Sequence, residues 1–219
     1  MFSFVFQLIE FMIYNDKQIQ IIASAEALFA SKGFDGTSVR DIAEAAGINI
    51  AMISYYFGSK EKLMEALFVQ RTDHIKMKVE TLLKDDSLSP FKKLNELIDG
   101  HISKAVDMQL FYKIMVTEHL VNKNPFITDA LIQLTKRNIE VVTTLITDGE
   151  KKGVFKKGAD VFMLMNTLIG TVSHTVMNQA FYREYYRQTE MPDEAFKESL
   201  KQRLSLHIKQ IFKSILSNE

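Results

Sequence analysis

The spacing of apolar residues is the feature that most constrains this chain, because they recur every three or four positions over most of its length. From Asp16 onward, Ile21, Ile22, Ala25 and Phe29 fall on one stripe of a helix. Proline and glycine, the residues that interrupt helices, number only 3 and 9 among 219 residues, and 47% of the chain is hydrophobic. The pattern therefore predicts an all-α protein of about nine helices with a packed core.

The first fourteen residues, MFSFVFQLIEFMIY, form an apolar segment apart from this pattern. They lack the basic start and the small-residue cleavage site of a secretory signal, and they are too few to span a bilayer. We interpret residues 1–14 as an apolar N-terminal extension, either an extra helix or the result of a start codon assigned too early, with a membrane anchor as the least favoured alternative. No later stretch reaches the roughly 20 apolar residues of a membrane span, so we expect no membrane contact. The chain has no cysteine, which fits a reducing cytoplasm, and we predict a cytoplasmic location.

Cap signals delimit short helices near the N-terminus. Gly33 is well placed to end the first helix, since glycine readily adopts the positive φ of a C-cap. Ser38, with Asp41 three residues later, has the pattern of a capping box that begins a second helix, with Thr37 as the alternative cap. Asn49 can cap a third helix in the same way.

Residues 38–57 have the spacing of a helix-turn-helix. Two short helices that cross at a steep angle need a small residue at the crossing, here Ala43, and a turn residue that tolerates positive φ, here Gly47. They also need a branched apolar residue that anchors the second helix, and Ile53 lies six residues after the glycine. In such a motif the second helix enters the major groove of DNA with its N-terminal residues on base edges.

Beyond residue 75 the helical periodicity continues, and its breaks divide the rest of the chain into long segments. The breaks fall at residues 85–90, near 122–125, at 153–160 and at 189–193. Three of them contain a proline that suits the first turn of a following helix. After the extension at 1–14, we therefore predict a three-helix DNA-binding head at 15–75 and a larger helical body at 76–219.

The stretch from about Asn15 to Asp73 carries a set of short motifs. They are A-x-x-L-F at 25–29, Gly33-Phe34, Thr37-Ser38-Val39-Arg40-Asp41-Ile42-Ala43, Ala46-Gly47-Ile48 and Tyr56-Phe57-Gly58-Ser59-Lys60-Glu61. As a set they resemble the TetR family of bacterial transcriptional regulators. The resemblance implies a ligand-responsive repressor that binds double-stranded operator DNA as a homodimer, takes an unknown small-molecule effector and needs no cofactor.

The resemblance also nominates DNA contacts at the start of the second helix, along the third and at the start of the fourth. These positions are Thr37, Ser38, Arg40, Asn49, Ile50, Ala51, Met52, Ser54, Tyr55, Tyr56 and Lys60. Hydroxyls and Lys60, which matches the family's phosphate-gripping lysine, would hold phosphates, while Arg40 and Asn49 could read base edges. Many members carry Lys or Arg in place of Ile50 and Tyr in place of Ser54, so base readout is expected to shift toward apolar contacts.

Some of these positions also fit roles without DNA contact. Tyr56, like Ile53 and Phe57, fits the inner face of the third helix, whereas Tyr55 points away from that face on a helical wheel. Arg40 also fits a solvated helix face.

The charge distribution argues against strong DNA binding by the head. Residues 1–75 carry 6 basic and 9 acidic residues, although the whole chain has 27 of each. Phosphate neutralisation supplies much of the affinity of most DNA-binding domains. The alternative function is therefore a helical ligand-binding or interaction protein whose head has weakened DNA affinity.

Two apolar seams in the body suit a homodimer interface. Their members are Leu164, Leu168 and Val172 on one helix and Leu200, Leu204, Ile208 and Ile211 on the last. In the family the last two helices pack against their mates, so the resemblance implies a four-helix interface. Each seam could equally face the core of its own chain.

Aromatic, methionine and histidine residues of the body suggest a ligand pocket. The candidates are Phe111, Tyr112, Met115, His119, His174, Met177 and Phe181. Such a lining suits a bulky apolar or cationic ligand, with the histidines as polar anchors. At helical spacing the same residues also fit an ordinary core.

Signals of catalysis are missing from the sequence. None of the five histidines has Glu three residues before it, and the chain contains no HExxH, no GxSxG and no phosphate-binding glycine loop. Without cysteine there is also no thiolate zinc site. We therefore predict a protein that is not an enzyme and holds no metal.

Overall fold

The computed structural model describes residues 14–72, 81–121 and 125–217. Within these ranges the chain is helical and contains no β-strand, which confirms the all-α prediction. The predicted N-terminal extension lies outside the described residues except for Tyr14, whose hydroxyl lies 3.4 Å from the carbonyl oxygen of Ala66.

The N-terminal helices are short and begin and end at the predicted caps. They are α1 (Asp16–Lys32), α2 (Val39–Ala45), α3 (Ile50–Phe57) and α4 (Lys60–Thr72). Gly33 ends α1 with a φ of 74°, where its N–H donates to the carbonyl of Phe29. The structure therefore confirms the C-cap that the sequence indicated.

The remaining helices are longer on average. They are α5 (Pro90–Asp107), α6 (Gln109–Val121), α7 (Pro125–Lys151), α8 (Val161–Met177), α9 (Gln179–Tyr185) and α10 (Asp193–Leu216), and residues 81–84 are helical as well. Pro90 and Pro125 are the first residues of their helices, as predicted. The breaks at Met108 and Asn178 contain neither proline nor glycine and carried no signal in the sequence.

The described residues divide into two compact units. The head unit combines residues 14–72 with Lys113–Ala130, and the body unit combines 81–112 with 131–217. The division therefore falls inside α6 and inside α7, so a piece of chain distant in sequence belongs to the head unit.

The core of the head is built from the apolar stripes of its four N-terminal helices. Helix α1 packs on α2 and α4, and α3 packs on the same two helices. The fully buried side chains at these contacts include Ile21, Ile22, Ile42, Ile53, Leu63 and Leu67. Burial of this apolar surface is what holds helices as short as α2 and α3 in place, since neither would be stable alone.

The core of the body is built around α5. Helices α8 and α10 pack against α5 and against each other. From α5, Leu94, Ile98 and Ile102 are at most 2% exposed. Between α5 and α10, the carboxylate of Asp99 accepts hydrogen bonds from Ser205 and Lys209, which fixes the register of the two helices.

The apolar seams of α8 and α10 face this core, which corrects the predicted dimer interface. Six of the seven nominated residues are at most 5% exposed within the single chain, namely Leu164, Leu168, Val172, Leu200, Leu204 and Ile208. The seventh, Ile211, is half-buried. Side chains that are already buried within one chain cannot contact a second copy of it. The six buried residues therefore face the core of their own chain, the alternative that the sequence left open, and the interface assignment of Ile211 stays a prediction.

Candidate nucleic-acid interface

Helices α2 and α3 are joined by a tight turn whose hydrogen bonds explain the role of Gly47. Gly47 has a φ of 59°, which only glycine adopts without strain. On either side of it, the N–H of Ala46 donates to Ile42 and the N–H of Ile48 donates to Ala43, at 2.9 and 3.0 Å. The backbone therefore reverses direction within four residues and sends α3 away at a new angle.

The first turn of α2 is fixed by the predicted capping box. The N–H of Asp41 donates to the Ser38 hydroxyl at 3.1 Å, and the Asp41 carboxylate accepts from the Ser38 N–H at 2.8 Å. The hydrogen bonds from Ser38 hold the pKa of Asp41 below its usual value. The ammonium of Lys32 lies 3.6 Å from the same carboxylate. The start of α2 is thus well ordered by local polar contacts.

Helix α3 has one fully buried side chain and an exposed outer face. Ile53 is 1% exposed and fixes α3 in the head core, as the sequence predicted. The side chain of Asn49 accepts a hydrogen bond from the Ala51 N–H at 2.9 Å and caps the helix. Tyr55, on the opposite face, is 82% exposed. The structure therefore presents a short capped helix with an open outer face.

Most of the nominated DNA contacts lie on exposed surface of α2 and α3. Exposed are Ser38, Arg40, Asn49, Ile50, Ala51, Ser54 and Tyr55, while Met52 and Tyr56 are half-buried. The Tyr56 ring packs edge-on against Tyr55 at 5.0 Å between ring centroids. Tyr56 is therefore neither fully buried nor fully exposed, and both roles that the sequence left open stay predictions.

Thr37 and Lys60 are placed differently from the other nominated residues. Thr37 is 1% exposed, and its hydroxyl donates to the carbonyl of Gly33 at 2.8 Å. The ammonium of Lys60 donates to the carbonyls of Phe34 and Thr37 at 2.8 and 2.9 Å. Both side chains are engaged inside the head, so neither presents its polar group to the outside in this structure.

Two contacts that support the motif had no signal in the sequence. The side-chain amide of Gln20, on α1, donates to the carbonyl of Ala46 in the turn at 2.9 Å. The guanidinium of Arg71 donates to both carboxylate oxygens of Glu26, which joins α4 to α1. Neither residue could have been identified from spacing, because each contact spans 26 residues or more.

The head unit also contains a surface cleft of about 400 Å³. It lies between the turn after α1 and the end of α6, and its lining residues include Phe34, Gly36, Glu61, Thr117, Glu118 and Val121. It is open to solvent and has none of the residues that the sequence nominated for a ligand.

The predicted ligand residues differ in their exposure to solvent. Phe111 and Tyr112 are buried and Met115 is half-buried, whereas the other four, His119, His174, Met177 and Phe181, are exposed. The last three lie on α8 and α9, and α8 packs against α5 and α10. The exposure of these four side chains does not fit the enclosed pocket that the sequence suggested, which corrects the pocket assignment for them.

Tyr112, which is 8% exposed, connects a part-buried set of polar side chains in the body. Its hydroxyl lies 3.3 Å from Nε2 of His101 and 3.2 Å from the hydroxyl of Ser173, which links α5, α6 and α8. Burial lowers the pKa of His101 to about 4, so this imidazole is neutral. Burial also lowers the pKa of the nearby Lys104 to about 8. The body thus offers uncharged hydrogen-bond donors and acceptors at His101, Tyr112 and Ser173.

The described residues also bear on metal binding and on membrane insertion. Among residues 14–72, 81–121 and 125–217, no group of His, Asp and Glu side chains is placed to hold a metal ion. None of the helices in these ranges is both long and apolar enough to cross a bilayer.

Helix α3 is capped, follows a tight glycine turn, is anchored by one buried isoleucine and has an open outer face. These features define a helix-turn-helix regulator. Comparison with known proteins agrees. Residues 21–67 match the bacterial regulatory proteins of the tetR family, and residues 68–201 match the C-terminal region of YsiA-like proteins. The chain belongs to the TetR family of transcriptional regulators.

Two relatives of known sequence come from Bacillus subtilis. The HTH-type transcriptional regulator YttP is 31% identical over 134 residues, which cover 61% of this chain and 64% of YttP. The match thus spans slightly less than two thirds of that protein. The fatty acid metabolism regulator protein is 27% identical over 157 residues, which cover 71% of this chain and 79% of the relative. Both relatives are named as regulators.

A solved structure shows the same fold. The regulator FadR of Bacillus subtilis, determined in complex with stearoyl-CoA, superposes with a TM-score of 0.57 at 23% sequence identity. The alignment covers 85% of this chain and 97% of FadR.

Proposed function

We propose that this protein is a ligand-responsive transcriptional repressor that binds operator DNA as a homodimer and acts in the cytoplasm. The observation that carries the proposal is the placement of α3, which Ile53 anchors in the core while Ile50, Ser54 and Tyr55 stay exposed. In a helix-turn-helix this outer face enters the major groove.

The chemistry of the outer face favours apolar and hydroxyl contacts. Ile50 is 47% exposed at the leading end of α3, where it can contact a thymine methyl group. The Tyr55 hydroxyl and the exposed guanidinium of Arg40 can reach phosphates. With few cations on this surface, we expect DNA affinity to depend less steeply on salt than in strongly basic regulators.

The dimer interface that we now propose lies on the outer faces of α8 and α10. Large apolar side chains remain exposed there, namely Phe162, Met163 and Met177 on α8 and Leu206 on α10. The two helices pack on each other while their buried faces contact α5, so these residues lie away from the core. A two-fold pairing of such faces would place two heads to read half-sites about 34 Å apart.

For the effector, we propose a molecule in which a long apolar chain is joined to an uncharged polar group, as the acyl thioester of an acyl-CoA is. The chain of His101, Tyr112 and Ser173 offers uncharged hydrogen-bonding groups inside the body. Two relatives point to the same class, since one regulates fatty acid metabolism and another binds stearoyl-CoA. Long-chain acyl-CoA is therefore the first effector to test.

The test is a selection of duplexes from a random-sequence library with the purified full-length chain. Binding of the selected duplex is then measured by fluorescence anisotropy, with and without stearoyl-CoA, over a range of salt concentrations. We expect a palindromic site, weaker binding at higher salt and release by the acyl-CoA.

The selection also distinguishes the alternative function. Failure to enrich any duplex at low salt, together with binding of acyl-CoA to the body, would identify a ligand-binding protein whose head has lost DNA affinity. The excess of acidic residues in the head is the observation that favours this alternative. If the protein binds a specific duplex and no acyl-CoA releases it, only the proposed effector class is overturned.

A further inference from the structure

The ammonium of Lys60 turns inward, although the family resemblance casts this residue as a phosphate contact. It donates to the carbonyl oxygens of Phe34 and Thr37 at 2.8 and 2.9 Å. It also lies 4.2 Å from the centroid of the Phe34 ring. Two carbonyl acceptors and one aromatic face therefore occupy most of the directions in which this cation can interact.

The two carbonyls belong to the turn that leads from α1 into α2. Within this turn the N–H of Thr37 donates to the Phe34 carbonyl at 3.2 Å, and the Thr37 hydroxyl donates to Gly33 at 2.8 Å. The turn also folds back tightly on α1, because a Cβ on Gly36 would lie 2.3 Å from the carbonyl oxygen of the last α1 residue. The turn thus has one compact conformation, and Lys60 binds it from outside.

Lys60 connects the two ends of the helix-turn-helix. It is the first residue of α4, directly after Gly58 and Ser59, which follow the end of α3. Across 23 residues of sequence it reaches Thr37, whose neighbour Ser38 is the N-cap of α2. One side chain therefore relates the position where α2 begins to the position where α3 ends.

We propose that Lys60 is a positioning residue that braces the turn at 34–37 and so holds α2 and α3 in the arrangement that fits DNA. A move of the ammonium to a phosphate would leave two turn carbonyls without their cationic donor and would release the turn. The brace is a property of the free protein, and only its effect on DNA affinity rests on the proposed function.

The free protein provides the first test, by hydrogen exchange measured with NMR. The Lys60→Met variant keeps the length of the side chain but lacks its ammonium, and Lys62→Met is the matched control. Lys62 lies on the same helix and pairs with Glu65 at 2.7 Å. We expect the amides of Thr37 and Asp41 to exchange about tenfold faster in Lys60→Met and at the native rate in Lys62→Met. Native exchange in Lys60→Met would overturn the proposal.

DNA binding provides the second test, with the duplex selected as described above. A brace predicts that Lys60→Met weakens binding about tenfold while the slope of log affinity against log salt stays at its native value. A direct phosphate contact predicts instead that the slope falls by about 1 for each subunit. A reduced slope with native exchange in the free protein would show that Lys60 is a phosphate ligand only.

A second variant covers the case in which Lys60→Met fails to fold. Phe34→Leu keeps the charge of Lys60 and both carbonyl acceptors but removes the aromatic face beneath the ammonium. The brace predicts faster exchange of the Thr37 amide with the native salt slope, and native exchange in this variant would contradict it. Because exchange is measured without DNA, it decides the role of Lys60 even if no duplex binds.

Discussion

Arg71 on α4 donates from two guanidinium nitrogens to the two carboxylate oxygens of Glu26 on α1. Glu26 is 7% exposed, so little solvent reaches its carboxylate, and Arg71 is its ionic partner. The pair lies within the head unit. It joins α4, which follows α3, to α1, whose Gln20 supports the turn before α3. The stability of the head is therefore sensitive to a single polar contact.

We expect Arg71→Met to lower the free energy of unfolding by about 3 kcal/mol, because it leaves the Glu26 carboxylate buried without its partner. Urea denaturation followed by circular dichroism measures the loss. The control is the double variant Glu26→Met with Arg71→Met, which removes both charges and should recover most of the stability. A double variant no more stable than the single one would contradict this account.

Gly149, near the end of α7, allows the ring of Phe155 to pack directly on the helix backbone. A Cβ at this position would lie 2.1 Å from a ring carbon of Phe155, which is itself 1% exposed. We expect Gly149→Ala to destabilise the protein by about 1–3 kcal/mol in thermal or urea unfolding, because the ring has no free space to move into.

A second helical glycine provides the matched control for that substitution. Gly100 on α5 is exposed, and a Cβ there would meet nothing within 4 Å. Gly100→Ala is expected to stabilise the protein by about 0.5–1 kcal/mol, since alanine favours the helix. If both substitutions change the free energy of unfolding in the same direction, the contact with the Phe155 ring does not explain the effect of Gly149→Ala.

The buried His101 predicts how stability changes with pH. Burial lowers its pKa to about 4 from the ordinary 6.5, so between these values the unfolded chain binds a proton that the folded chain does not. The free energy of unfolding therefore has its full value above pH 6.5. It falls by a total of about 3 kcal/mol as the pH drops toward 4.

Urea titrations at several pH values between 5 and 7 measure this dependence. His101→Gln removes the titrating group and should flatten the slope in that window by up to about 1.4 kcal/mol per pH unit. Lys104, with a pKa of about 8, titrates in a separate window at higher pH and does not confuse the comparison. An unchanged slope in His101→Gln would show that another group is responsible.

The two faces of α3 predict opposite effects of two substitutions. Ile53→Ala removes a side chain that is 1% exposed and should cost about 2–4 kcal/mol of stability. Tyr55→Ala removes a side chain that is 82% exposed, so stability should change by less than about 0.5 kcal/mol while affinity for the selected duplex falls. Native DNA affinity in Tyr55→Ala would remove this tyrosine from the interface.

The proposed dimer surface predicts that a charge on its apolar part separates the subunits. Leu206→Glu places a carboxylate on a residue that is 64% exposed in the single chain, so the fold should persist while the dimer dissociates. Light scattering coupled to size exclusion measures the mass. The control is Ile132→Glu on α7, which is 40% exposed and lies outside the α8 and α10 faces. Equal masses for both variants would place the interface elsewhere.

The sequence by itself determined the local features of the head. Ser38, Gly47 and Asn49 act through neighbours within four residues, so their capping and turn roles follow from spacing alone. The same holds for Ile53, because the apolar period of a helix reveals which side is buried. The all-α fold follows from the same periodicity and from the small number of residues that break helices.

Only the tertiary structure decided which partner each apolar face meets and where long polar side chains point. Periodicity shows that Leu200, Leu204 and Ile208 share a face, but it is the same whether that face meets α5 or a second chain. The ammonium of Lys60 could have pointed to solvent, and it points inward because folding brings the carbonyls of Phe34 and Thr37 beside it. Such contacts join residues far apart in sequence, so no local pattern can specify them.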